Sequence, residues 1–186
     1  MGKLLEKLRR AIRAEPPRPL GFGRVPADAV RVPPVVLIGH LDAWDPNLVG
    51  HLKEAGIDTL ILPGSNQPPE AEVLAGLTWG VELGGNLNAE LLGRYFEAGA
   101  DFALLEPEAP AELLSPDGGR YLRLTPDFPD GLLRSLDLLP VEGFCLRAPA
   151  AGEALTVSDL LVFLKFAAVS RKPILYELGR LPTQAE

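Results

Sequence analysis

The sequence predicts a compact, closed (β/α)8 barrel, and three observations carry that reading. A stretch appears twice, as Leu48–Leu62 and Leu91–Leu105, with Leu, Gly, Glu, Ala, Gly, Asp and Leu at matched positions. Each copy reads as the end of an amphipathic helix, a glycine that stops it, and an apolar strand. The offset is close to two strand–helix units, so the chain cycles strand, helix, strand, helix, as parallel sheets with helical crossovers do. Short apolar runs recur along the remainder at similar spacing. The alternative is an open doubly wound sheet in which Leu20–Gly23 is a loop.

Leu4, Leu5, Leu8 and Ile12 fall at helical spacing and predict a helix over Lys3–Arg13, which Pro16, Pro17 and Pro19 end. Leu20–Gly23 is a short first strand. Val35–Gly39 is apolar throughout, as a strand buried on both faces should be. Asp45 before Pro46 is an N-cap with proline at the first helical position, opening a helix to Ala55, and Asn88 is the matching cap in the second copy. Further strands are expected at Asp58–Leu62, Trp79–Leu83, Asp101–Glu106, Tyr121–Thr125, Gly143–Arg147 and Pro173–Leu178. Helical stretches are expected near Pro69–Ala75, Ala89–Ala98, Ala109–Leu114, Asp130–Leu138 and Ser158–Ser170, with a turn at Pro116–Gly119. The whole chain, 1–186, reads as one α/β domain: a helix and proline-rich lead-in at 1–19, the barrel at 20–178 and a tail at 179–186.

A chain of 186 residues with 47% apolar content can fill one sizeable core. No apolar run reaches the roughly 20 residues that span a bilayer, and the charged N-terminus lacks a signal-peptide pattern, so a cytoplasmic location is expected. The single cysteine, Cys145, excludes an internal disulfide framework and a Cys-rich zinc site. A net charge of −7 argues against nucleic-acid binding. The charge is uneven, because Lys3, Lys7, Arg9, Arg10, Arg13, Arg18 and Arg24 outnumber Glu6 and Glu15 at the N-terminal end. The outer helices of an eight-stranded barrel are short here, and two are missing. The first helix fits the place beside the first and last strands, and the remaining bare flank calls for a second subunit, so a homo-oligomer is expected.

The Glu-Ala-Gly-Ile-Asp and Glu-Ala-Gly-Ala-Asp junctions at 54–58 and 97–101 resemble the helix-to-strand junctions of many TIM-barrel enzymes, including aldolase-like and phosphate-binding ones. The resemblance implies the fold and places these junctions opposite the face where a barrel holds its active site. It carries no catalytic residue with it.

In either fold ligands gather at the C-terminal ends of the strands. His40, Asp42, Glu82, Glu106, Arg123, Arg147 and Glu177 fall there, several inside apolar strands where an unpaired charge is costly. Glu82, Glu106 and His40 are the candidate catalytic acid–base groups. Arg123 and Arg147, with Glu177, are the candidate substrate-binding groups for a small anionic molecule. Asp42, Glu82 and Glu106 are candidate oxygen ligands for Mg²⁺ or Mn²⁺. Gly64-Ser65-Asn66 and Gly84-Gly85-Asn86 can present backbone N–H groups to a phosphate.

Absences narrow the chemistry. No lysine sits at the C-terminal end of a strand, which argues against a Schiff-base aldolase. Two histidines cannot build a multi-histidine zinc site, and no Gly-x-Ser-x-Gly elbow exists. Two readings remain. The first is a barrel that binds a small anion, with lyase or isomerase chemistry suited to its groups. The second is a non-catalytic oligomeric scaffold whose rim charges are structural salt bridges.

Overall fold

The computed structural model describes residues 2–13, 35–84, 88–115, 117–147 and 156–178. Helix α1 (Lys3–Arg13) precedes strand β1 (Ile38–His40), helix α2 (Pro46–Glu54), strands β2 (Thr59–Pro63) and β3 (Thr78–Glu82), and helix α3 (Ala89–Glu97). Strands β4 (Phe102–Leu105) and β5 (Gly119–Leu124), helix α4 (Asp130–Leu133), strand β6 (Gly143–Arg147), helix α5 (Val157–Ala167) and strand β7 (Ile174–Glu177) follow. The seven strands form one sheet in chain order, every neighbouring pair parallel.

The sheet curls. His40 on β1 and Glu177 on β7 stand at opposite ends of the strand order, yet their side chains lie 3.2 Å apart. Strand periodicity then sorts side chains into two cores. Leu60, Leu62, Val81, Ala103, Leu105, Leu124 and Leu146 face outward and pack under Val49, Leu92, Tyr95 and Phe166 of the helices. Ile38, Ile61, Phe102, Leu104, Tyr121, Cys145 and Leu175 face inward and pack on one another. Both faces are buried, which is why the strands read as continuous apolar runs. Inside the curl a small residue makes room for a large one. A Cβ on Gly80 would sit 2.5 Å from the Phe102 ring, and that ring packs edge-on against Tyr121 with centroids 5.4 Å apart.

The repeat is one structural device used twice. Ala55 and Ala98 cap their helices, Gly56 and Gly99 follow with φ of +80° and +99°, and Ile57 and Ala100 donate their N–H groups back to Leu52 and Tyr95. This left-handed stop suits glycine, which meets no Cβ penalty there. The aspartate that ends each copy then satisfies backbone elsewhere. The Asp58 carboxylate accepts the Leu37 N–H at 2.9 Å. Asp101 accepts the N–H groups of both Lys3 and Leu4 at 2.8 Å, capping α1.

Helix α1 departs from its expected place beside the first and last strands. It lies across the N-terminal end of the curled sheet, held by residues that precede β2, β4 and β6. Lys7 Nζ donates to the Asp58 carbonyl, Asp101 caps the helix, and Glu142 accepts the Gly2 N–H at 3.1 Å. The reason is apolar: Leu4 is fully buried and, with Leu8, completes the inner cluster from below.

Other elements shorten for local reasons. The segment expected as a helix over Pro69–Ala75 is a series of turns with one buried anchor, Leu74, and it ends at Gly76 with φ of +83°. Asp130–Leu138 splits into α4 and a 3₁₀ turn at Leu136–Leu138, and Ala111–Leu114 is likewise 3₁₀. Strand pairing at Val35–Gly39 begins at Ile38 and runs one residue further, so His40 belongs to the strand instead of following it. The strand expected at Leu20–Gly23 lies outside the described residues. Among the described residues no helix is long and apolar enough to cross a membrane.

Asp101→Ala strips the cap from two amide groups of α1, and we expect a loss of about 1–2 kcal/mol in urea unfolding. Amide exchange of residues 3–8 should accelerate well before that of β4. Unchanged protection in α1 would show that Asp101 does not hold it.

Candidate active site

The last inward-facing residues of alternate strands are polar. His40 lies two positions beyond Ile38, Glu82 beyond Gly80, Arg123 beyond Tyr121 and Glu177 beyond Leu175, so the strand period that fills the inner core also stacks these four at its C-terminal end. Glu106, just after β4, and Arg147, ending β6, join them.

Arg123 is the centre of the group, with its side chain 1% exposed. Its Nη1 pairs with Glu82 Oε1 and lies 2.7 Å from Glu106 Oε1, and its Nη2 lies 3.3 Å from Glu177 Oε2. His40 bridges the same carboxylates from the other side, with Nε2 2.6 Å from Glu82 Oε2 and Nδ1 3.2 Å from Glu177 Oε1. Arg147 Nε stands 3.7 Å from Glu177 Oε2. Glu106, 39% exposed, and Arg147, 52% exposed, are the members most open to solvent.

These contacts set the ionisation states. Hydrogen bonds to Glu177 and Glu82 push the His40 imidazole up from 6.5 to about 9, so it is a cation at neutral pH. The hydrogen bond from His40, aided by Arg123, holds Glu82 at about 2. His40 likewise lowers Glu177. Burial alone would lower Arg123, but its bonds to Glu82 and Glu106 win and its pKa is raised. Three cations thus face three carboxylates. The set is not fully satisfied, because Arg123 Nε and Nη2 are buried without an acceptor in hydrogen-bonding geometry. Below it, burial raises the Cys145 thiol to about 12, which leaves it inert as a nucleophile.

The structure therefore brings together six of the residues picked from the sequence: His40, Glu82, Glu106, Arg123, Arg147 and Glu177. Asp42 is exposed on the bend after β1, apart from this group. Among the described residues no three His, Cys, Asp or Glu side chains are grouped to hold a metal ion. The Gly64–Asn66 loop is committed to structure, since the Gly64 N–H goes to the Glu82 carbonyl at 2.7 Å and the Ser65 N–H to Tyr95 Oη at 2.7 Å. Tyr95, which also donates to the Ser65 carbonyl at 3.0 Å, is a positioning residue that sequence reasoning missed. The available signal was its place in the repeat, where an aromatic with a polar tip replaces Leu52. Gly85 and Asn86 lie outside the described residues.

No protein-family model matches this sequence, and no curated protein does. Similarity appears in solved structures. A mutant tryptophan synthase α-subunit from Pyrococcus furiosus superposes with a TM-score of 0.63 at 16% identity, covering 78% of each chain. A Mycobacterium tuberculosis tryptophan synthase gives 0.62 at 16% identity, covering 78% of this chain and 75% of that one. The P. furiosus tryptophan synthase complex gives 0.61 at 14% identity with 77% coverage of both. The chain thus has a TIM-barrel-like α/β fold, with seven parallel curled strands among the described residues. At this identity the likeness shows the fold alone.

The pKa shifts fix the sign of a pH dependence. A raised His40 contributes stability that is complete below pH 6.5 and lost as pH rises through about 9, and a depressed Glu82 contributes stability that is complete above pH 4.5 and lost as pH falls through about 2. Melting temperature should peak between those limits and decline toward pH 9. In His40→Gln the alkaline decline should flatten, and an equal decline in that variant would assign it to other groups.

Proposed function

We propose that the C-terminal end of the curled sheet binds a small anionic molecule and performs acid–base chemistry of the lyase or isomerase kind. The observation that carries this reading is the ionised layer around the buried Arg123, at the end of the fold where barrels hold ligands, with Glu106 and Arg147 partly open to solvent. Buried ion networks add little stability over apolar packing, and clusters of shifted ionisable groups concentrate at working sites. Glu106 and Arg147 are the groups a ligand reaches first. Arg147 anchors the anion, and Glu106, oriented by Arg123, is the base. Both ring nitrogens of His40 are engaged by carboxylates, so His40 and Glu82 act from behind, keeping the layer charged and in register.

The scaffold reading has its own support, since three cations balance three carboxylates and Arg123 is sealed from solvent. Thermal melting separates the two. Phosphate, glycerol phosphate, 2-oxo acids and dicarboxylates are tested with and without Mg²⁺ or Mn²⁺. A ligand at 100 times its Kd adds about 2.7 kcal/mol, or about 5–10 °C for a domain of this size. We expect such a shift for one class of anion, lost in Arg147→Ala and weakened in Glu106→Gln, while each variant alone melts within a few degrees of wild type. No shift across the panel would favour the scaffold.

A further inference from the structure

The opposite end of the molecule carries a groove. Helix α1 lies beside the entrances of β6 and β7 and leaves a groove of about 430 Å³ between them, within the size range of small-molecule sites. Its cations come from two elements, Arg9 from α1 and Arg171 and Lys172 from the turn before β7. Leu5, Val141 and Pro173 give it apolar walls.

One carboxylate, Glu142, also lines the groove: its Oε1 accepts the Gly2 N–H and its Oε2 is buried without a hydrogen-bond partner, so three cations stand against one carboxylate in the lining. A second carboxylate stands beside the turn before β7. Asp137 spends its oxygens on Ser170 Oγ at 2.7 Å and on the Arg171 N–H at 3.1 Å. The Lys172 ammonium donates to the Leu139 carbonyl and keeps two further protons to give. Burial lowers its pKa, against the pull of Asp137, so an arriving anion would relieve an unfavourable charge.

We propose that this groove at the N-terminal end is a second binding site, for a small organic anion that joins a phosphate or carboxylate head to an apolar body. The head pairs with Arg171 and Lys172, with Arg9 completing the cationic rim, and the body rests on Leu5, Val141 and Pro173. Such a ligand touches α1 and the β6–β7 entrances at once, so it fastens the helix to the sheet. The site is separate from the ionised layer at the other end and does not rest on the function proposed for it.

Phenyl phosphate is the probe, titrated calorimetrically into the whole chain with inorganic phosphate as the comparison. We expect saturable binding of phenyl phosphate at least tenfold tighter than inorganic phosphate, and slower amide exchange in α1 when it is bound. Arg171→Glu should weaken it at least tenfold, and Lys172→Gln should weaken it several-fold. Arg171 is exposed, so its replacement leaves the fold intact, and Arg147→Ala should leave this affinity unchanged. Equal binding of inorganic phosphate, unchanged affinity in Arg171→Glu, loss of affinity in Arg147→Ala, or no saturable binding would each overturn the proposal.

Discussion

The buried guanidinium of Arg123 constrains this molecule more than any other group. A cation sealed inside a sheet must be neutralised, and the three carboxylates that do so come from the ends of β3, β4 and β7. Three negative charges around one positive charge are themselves unfavourable. His40, held as a cation between Glu82 and Glu177, and Arg147 at the edge restore the balance. The network runs from β1 to β7, so it can form only when the sheet is curled. Fold and charge are thereby coupled: flattening the sheet would strand Arg123, and removing Arg123 would leave the carboxylates repelling one another.

The two ends of the curled sheet answer different physical demands. At the N-terminal end the surplus is of unpaired backbone donors, and carboxylates meet it. Asp101 caps α1, Glu142 takes the Gly2 N–H, and Asp58 takes that of Leu37. That end is also closed by apolar burial through Leu4 and Leu8. At the C-terminal end carboxylates meet side-chain cations instead, with two members half open to solvent. The inner core is shut at one end by apolar packing, and at the other it is topped by a layer of paired charges.

Much of this was legible in the residues. The repeat and its glycines located two helix–strand junctions correctly, and the apolar runs located β2 to β7 to within a residue or two, because burial on both faces leaves an unbroken signal, while β1 begins three residues later than its run. The rim residues were legible for a related reason. A charge inside an apolar strand is improbable without a partner, and that argument singled out Glu82, Arg123, Arg147 and Glu177 before any partner was known. The pairing itself was not legible, because it depends on the curl, which sets His40 of β1 against Glu177 of β7. The place of α1 was hidden too, since an amphipathic helix buries its apolar stripe equally well beside a sheet or beneath it. The short crossovers depart from the helical expectation where few of their apolar residues are buried: Pro69–Ala75, anchored by Leu74 alone, is a series of turns, and Asp130–Leu138, anchored by Leu133 and Leu136, splits into α4 and a 3₁₀ turn.

The repeat also shows how one local solution yields two uses. Both copies stop a helix with a left-handed glycine and start a strand with an aspartate, so both aspartates reach the N-terminal end of the sheet. There the surroundings decide their work. Asp58 stands next to the lead-in to β1 and ties it down through Leu37, whereas Asp101 stands near the middle of the sheet, below the inner core, and receives the start of α1. The helix that Asp101 receives is the one that closes the inner core with Leu4. A motif that specifies only a junction thus also sets how this end of the fold is sealed. The polar layer can then sit on a floor of packed side chains, with Glu106 and Arg147 its members most exposed to solvent.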